Sequence, residues 1–333
     1  MAAPSMGAAA SGTYITTGST PTPTNIREDL SDIIYQIDPT ETPVVTALGR
    51  GDNAEQILTE WLVQELNAAG KNAQPEGFEA SYGAATAPDR LSNVCQIMSR
   101  TVSVSGSMSA SNTVGAADEY DRQRILRGLE IKRDLEFALT NPQAKKTTDP
   151  REMGSLQAYI ANQSVGATGT EATGDGTDVP VAGTDRAISL DLIAAVMEEC
   201  FNNGGSPNIG VLSATLKRAF SGLAAGGATG AAQNSLSSTR PEPVTIVGAV
   251  DVYRTDFGPI EMVPDRFMAA KTMLLLDPEY AEIAPLPGRD MITEDYAKTG
   301  DAQKGGVVFE GTLRVNAPKA HGAIYALIPP AAP

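Results

Sequence analysis

The side chains best suited to nucleophilic or acid–base chemistry are few in this sequence and are not spaced to work together. The single histidine, His321, lies in Lys319-Ala320-His321-Gly322, and the two cysteines are Cys95 and Cys200. A thiol nucleophile needs a base to accept its proton and a third group to orient that base. Cys95 falls in a stretch with strand character and Cys200 on the apolar side of a helical pattern, so both read as small buried hydrophobes. They form neither a disulfide framework nor a C-x-x-C pair, which favours a reducing, intracellular setting. G-x-S-x-G, H-E-x-x-H and G-x-x-x-x-G-K-[ST] are absent. The acidic pairs Asp175/Asp178 and Asp118/Asp121 have the charge for a divalent cation but not the spacing of a calcium loop. Asn162-Gln163-Ser164 matches a glycosylation sequon by chance, and Gly174-Asp175-Gly176 and Gly226-Gly227 read as loop composition. Arg122, Arg124 and Arg127 are interleaved with acids and predict a salt-bridged face, exposed or between subunits, in place of a basic patch. No catalytic, cofactor-binding or metal residue is assigned, and no enzyme is expected.

Composition agrees with that reading. The 333 residues carry 40 acidic against 25 basic side chains, a net charge of −15. Wrapping nucleic acid demands an excess of Lys and Arg, so tight DNA binding is excluded as a class. No run approaches the roughly 20 apolar residues of a membrane span. The first 18 residues lack the basic and apolar regions of a signal peptide. With 32 Gly and 22 Pro, the chain is rich in turns and long excursions.

The elements that would position any site follow from periodicity. Residues 1 to about 24 read as a flexible arm, followed by a short helix over 27–37 and an extended linker, Pro39-Thr40-Glu41-Thr42-Pro43. Strands over 56–66 and 90–105 flank a tip of about 20 residues, which predicts an extended hairpin. On the first strand Ile57, Thr59, Trp61 and Val63 share one face. On the second Val94, Met98, Val102 and Val104 are in phase. A hairpin of this kind is not stable alone and must lie on something else.

Residues 116–139 carry the strongest helical signal. Their apolar positions split into two stripes, Tyr120/Ile131/Leu135/Ala138/Leu139 and Ile125/Leu126/Leu129/Phe137. One stripe is the rule for a surface helix, so two predict packing on both sides, against a sheet and against a neighbouring chain. Residues 164–184 read as a loop or disordered insertion, and 224–240 as a second small-residue loop. Ser189 caps a helix to Phe201 whose buried face is Ile193, Val196, Met197 and Cys200. A strand over 209–212 precedes a helix capped by Ser213 with Leu216, Phe220 and Leu223 inward. Strands follow over 244–253, 258–263, 272–276, 307–315 and 323–327. The class is α+β, without regular βαβ alternation.

An arm, a long hairpin, a two-faced helix and large loops have little use in a monomer. Each is explained if it lies on another copy of the chain. With that shape in view, several short segments carry a resemblance: Arg27-Glu28-Asp29-Leu30, Pro39-Thr40-Glu41-Thr42-Pro43, Trp61, Asn93-Val94-Cys95-Gln96-Ile97 and Val102-Ser103-Val104-Ser105-Gly106. Further on come Lys132-Arg133-Asp134-Leu135-Glu136-Phe137-Ala138-Leu139, Tyr253 with Asp256-Phe257-Gly258, and Leu274-Leu275-Leu276-Asp277. Ala297-Lys298-Thr299-Gly300-Asp301 and Glu310-Gly311-Thr312-Leu313 complete the set. In this order, over about residues 25–328, the chain resembles the major capsid proteins of tailed bacteriophages built on the Hong Kong 97 fold, of the DUF type.

The resemblance implies a layout. Residues 1–50 would be the N-terminal arm and 51–106 the extended loop hairpin. Residues 107–185 would be the peripheral domain, with its spine helix and a flexible loop. Residues 186–275 would be the axial domain, and 276–333 strands returning to the peripheral domain. It also implies a function: pentamers and hexamers of the chain forming an icosahedral head around packaged double-stranded DNA. Its partners would be other copies of itself, a scaffolding protein and a portal, with a decoration protein as a further candidate. Its location would be the virion, assembled in the host bacterial cytoplasm, with no membrane. The arm is too short for a built-in scaffolding segment, so scaffolding is expected as a separate protein or a removed segment. Lys71 and Asn72 sit at the hairpin tip, but no partner Asn and catalytic Glu for an isopeptide are identifiable, and no cross-link is predicted. The acidity predicts DNA held by confinement. Trp61 has two readings, in its own chain's core or as an anchor on a neighbour. The alternatives are an encapsulin-like, non-viral compartment and a hydrolase using Cys95 or Cys200 with His321.

Overall fold

The computed structural model describes residues 39–80, 82–83, 87–111, 118–224 and 251–329. The expected helix over 27–37, most of the arm, the loop at 225–240 and the strand start at 244–250 lie outside the described residues.

Two sheets organise the described residues. The first is built on the long strand β12 (Ala302–Val315). Along one edge runs β3 (Gln96–Ser105), antiparallel, with Gln96 opposite Gly311 and Ser105 opposite Ala302. The other edge is shared end to end by β10 (Ala281–Pro285) and β11 (Ile292–Tyr296). Across β3 lies the helix α3 (Glu119–Thr140). Asp118 caps it, its Oδ1 accepting from the Tyr120 amide at 2.8 Å, with Glu119 and Asp121 in the positive first turn. Period-2 alternation on β3 sends Met98, Val102 and Val104 inward, to meet Ile131, Leu135 and Tyr120 of the helix.

The second sheet has six strands in the order β4-β13-β9-β6-β8-β7: β4 (Asn162–Ser164), β6 (Ile209–Ser213), β7 (Val252–Thr255), β8 (Gly258–Asp265), β9 (Met273–Leu276) and β13 (Gly322–Ile324). It is mixed, β6 running parallel to β8 and antiparallel to β9. All four residues of β9 are buried, because the sheet is covered on both faces. Leu274 and Leu276 join the core beneath α3; Met273 and Leu275 join a second core with α5 (Leu190–Asn202) and α6 (Ala214–Ala224). Helix α5 is capped by Ser189 and buries Ile193, Val196, Met197 and Cys200, as the periodicity predicts. The Ser213 hydroxyl donates to the Ala270 carbonyl. A two-stranded pair, β5 (Arg186–Ala187) with β14 (Leu327–Ile328), ties the chain end to the start of the second unit.

Three sequence expectations change. The strand expected over 90–105 is two strands, β2 (Asp89–Val94) and β3, broken at Cys95, whose amide bonds Ile57 O. The hairpin pairing is therefore β1 (Leu58–Val63) with β2, while β3 belongs to the sheet under α3. The linker at Pro39–Pro43 leads into a short helix, α1 (Pro43–Leu48), which buries Val44, Val45 and Leu48; six residues are too few to show a helical period. Of the two readings of residues 164–184, the structure has the loop, and it is packed. Ala172, Gly174 and Gly176 are buried, Thr170 and Val181 form a bridge, and three glycines take positive φ. Two short helices, α2 (Gly106–Ala110) and α4 (Leu156–Tyr159), complete the inventory.

Candidate assembly surfaces

The hairpin has two unequal faces, and the described residues of its own chain cover only one. Thr59, Trp61 and Val63 are half-buried, while Leu58, Glu60 and Leu62 point to solvent. At the base, the Trp61 indole donates to the Val315 carbonyl at 2.8 Å and its ring lies 5.8 Å from that of Tyr159. Lys319 pairs with Glu65, and Lys145 donates to the Ser92 carbonyl. Beyond the base no described residue covers the apolar groups: Leu66 is 95% exposed and Tyr82 96%, with Phe78 also open. Trp61 thus packs against its own chain's core, as the first of its two readings has it.

Helix α3 divides in the same way. Its first stripe is buried; of the second, Ile125 is 68% and Phe137 56% exposed, with Leu126 and Leu129 half-buried. The interleaved charges make local pairs, Arg122–Glu119, Arg124–Asp121 and Arg127–Glu130 at i, i+3. These local pairs, mostly half-buried, leave the helix face nearly neutral.

The residues considered for chemistry are separated and used structurally. His321 is fully buried, its Nδ1 accepts from the Asp277 amide at 3.2 Å, and burial pushes its pKa down to about 4. It is neutral at pH 7. Cys200, buried on α5, receives the Asn162 amide at 3.3 Å, and burial raises its thiol to about 11. Cys95 belongs to a separate small cluster with Ala54 and Ala284, and burial, helped by the Glu310 charge, raises its pKa. Neither thiol is activated. Asp175 accepts from Thr173 and Thr177, and Asp178 from Thr173, both inside the loop. Asp118 is the α3 cap and Asp121 pairs with Arg124. Among the described residues no three His, Cys, Asp or Glu side chains are placed to hold a metal, and no helix is long and apolar enough to cross a membrane. Lys71 and Asn72 are exposed at the hairpin tip, Asn72 accepting from Gln74.

Sequence reasoning missed two buried carboxyl groups that tie distant segments of the chain together. Glu136, fully buried on α3, accepts the Val44 and Val45 amides at 2.7 Å each. Burial drives its pKa up to about 7 against the pull of those two donors, and the Asp265 carboxyl adds to the rise. Glu310 on β12, 4% exposed, pairs with Arg151 at 3.1 Å and Arg289 at 2.5 Å. A glutamate inside an apolar helical stripe was the available signal for Glu136. Glu310 and its arginines lie too far apart in the chain to leave one.

A helix across a strand sheet, a second mixed sheet with its own helices, and a projecting hairpin define a class: the Hong Kong 97 type of tailed-phage capsid protein. The solved capsid of cyanophage A-1(L) superposes with a TM-score of 0.63 at 14% identity, over 92% of this chain and 98% of that one. An encapsulin, the holo-SrpI complex of Synechococcus elongatus PCC 7942, gives 0.57 at 12% identity, over 91% and 94%. At these identities the likeness is one of fold. The model of the SU10 major capsid protein family matches residues 11–327, and the chain belongs to that family. The major capsid protein of Escherichia phage Phieco32 is 30% identical over 143 residues, which are 39% of this chain and 40% of that protein, under half the length of either. Family membership implies a structural role in a virion capsid.

Proposed function

We propose that this chain is the subunit of an icosahedral phage head, assembling into pentamers and hexamers around double-stranded DNA. One observation carries the reading. The hairpin is anchored at its base by Trp61 and Lys319 yet presents Leu62, Leu66, Phe78 and Tyr82 without cover. Large apolar side chains left open along one hairpin suit an interaction site, and the half-open α3 offers a second. Residues 51–106 serve as the overlapping loop, 107–185 as the peripheral domain with α3 as its spine, 186–275 as the axial domain, and 276–333 as the returning strands. Residues 1–50 are the arm. Many such overlaps per subunit exceed one standard interface of about 1,600 Å² and close under shell symmetry. DNA is enclosed without being gripped, in keeping with the net charge of −15. Scaffolding, portal and decoration proteins are the partners this role requires, and the host bacterial cytoplasm is where it assembles.

The second reading, an encapsulin-like compartment, draws on the shared fold; the family match favours the phage head. Electron microscopy of the purified chain, with Leu66→Asp beside it, tests the proposal. Wild type is expected to form capsomers or shells. The variant, at a 95% exposed position, is expected to fold normally and assemble poorly. A wild-type chain that stays monomeric beside its assembly partners would refute it.

A further inference from the structure

Helix α1 depends on α3 for its first-turn hydrogen bonds. Its own cap residue, Thr42, makes no side-chain bond to that turn. The amides of Val44 and Val45 donate instead to the two carboxyl oxygens of Glu136, one each, at 2.7 Å. The apolar side chains Val44, Val45 and Leu48 enter the core with Leu135 and Leu139.

The site is a poor one for an anion. Glu136 is fully buried, and the buried Asp265 carboxyl sets a like charge near it. Asp265 accepts the Phe267 amide at 2.9 Å through Oδ1, while its Oδ2 is buried with no hydrogen-bond partner. Among the described residues no lysine or arginine lies within ion-pair distance of either carboxyl, because the charges on the surrounding elements are engaged elsewhere. Arg266 pairs with Glu41 at 3.8 Å, Arg133 lies over the Phe267 ring, and Arg100 pairs with Asp134. On the sheet, Arg314 pairs with Glu282, and Glu310 with Arg151 and Arg289. Glu279, on the short turn Pro278–Tyr280 that touches α1, is exposed. Helix α4 brings only Tyr159, whose hydroxyl donates to Ser92 O, and α1 has no ionisable side chain.

We infer that Glu136 is a proton-operated latch: protonated, it seats α1 firmly on α3; ionised, it loosens that seat and lets residues 43–48 lift away while the rest of the subunit stays folded. The latch belongs to the single subunit and does not depend on the shell reading. Ionisation in the seated state places a bare charge in an apolar surround beside a second carboxyl. A proton removes that charge and still leaves an oxygen to accept from the amides. Once α1 lifts, Glu136 meets water and ionises in the ordinary carboxyl range. The seated form therefore binds a proton that the lifted form releases, and the seat tightens as pH falls. The window runs from the ordinary 4.5 to about 7. Below it the proton's contribution is complete; above it the contribution is gone.

Hydrogen exchange of the full chain, read by mass spectrometry and corrected for the intrinsic rate, separates local lifting from global opening. Protection over residues 43–50 is followed between about pH 5 and 8, with α5 as the internal reference. In wild type it is expected to fall about ten-fold per pH unit until Glu136 is ionised in the seated state, the slope of one linked proton, and then to level off. Protection of α5 is expected to hold. Glu136→Gln, neutral at every pH and still an acceptor, is expected to give a flat profile over 43–50. Asp265→Asn removes the like charge and is expected to end the fall at a lower pH; it keeps the test decisive if Glu136→Gln folds poorly. A flat wild-type profile, an equal fall in Glu136→Gln, or an Asp265→Asn profile that matches wild type would overturn the latch. A parallel loss in α5 would overturn it as well, since the whole subunit would then be opening.

Discussion

Trp61 donates its indole N–H to the carbonyl of Val315 at 2.8 Å, joining the hairpin to the end of the longest strand. The ring also rests near Tyr159, so the only tryptophan reports on the subunit's own core. Trp61→Phe keeps the packing and loses the donor, leaving Val315 O without it. The expected cost is about 1 kcal/mol in chemical denaturation. Indole emission is expected to shift on folding of the isolated subunit and to change little on assembly. An emission shift that appears only with shells would place Trp61 at a neighbour instead.

Glu136 is a second tie, between α3 and α1. Glu136→Ala strips the acceptor from two buried amides and is expected to cost roughly 3 kcal/mol, at about 1–3 kcal/mol per unsatisfied group. The pH dependence has a definite sign. Burial and Asp265 raise the folded pKa from 4.5 to about 7. A raised carboxyl favours the folded state below pH 4.5, and that contribution is lost as pH climbs through 7. Wild-type stability should therefore fall between pH 5 and 8 more steeply than that of Glu136→Gln, read as the thermal midpoint of each. Parallel curves would mean that Glu136 does not titrate in this range.

The loop over 164–184 should behave as part of the core. Gly176 has a φ of 82°, and a Cβ there would enter the ring of Tyr159, whose hydroxyl donates to Ser92 O at 2.7 Å. Gly176→Ala combines a strained backbone with a displaced buried aromatic, and is expected to cost 2 kcal/mol or more, on the order of the larger single-site effects. It should also open the loop to protease. An unchanged midpoint would mean the loop is a free insertion.

These cases show what the sequence made legible. Helix α5 was readable in full, because Ser189 supplies a cap and Ile193, Val196, Met197 and Cys200 repeat at the helical period. The second stripe on α3 was readable as an excess of apolar residues, and Ile125 and Phe137 remain uncovered within the chain. The break at Cys95 was not readable. Val94 and Met98 stay in phase across it, so the alternation hides a change of partner from β1 to β12. Nor were β10 and β11, which are short and take their place from the long partner strand they share.

The thiols give the sharpest contrast between a structural subunit and a hydrolase. Cys200 titrates near 11 and Cys95 is raised, both through burial, and His321 is held neutral with a pKa pushed down to about 4. A nucleophilic cysteine requires the opposite shift and an accessible sulfur. The native chain is expected to resist a thiol-specific reagent at pH 8 and to expose both thiols only on unfolding. Cys95→Ala/Cys200→Ala should fold with a modest loss, about 1 kcal/mol for each small core truncation, and assemble like wild type. Rapid labelling of either cysteine in the native chain, or a turnover activity abolished by the double substitution, would return the enzyme reading. With both thiols buried in the packing of the subunit, the surfaces left to act are the hairpin and the open face of α3.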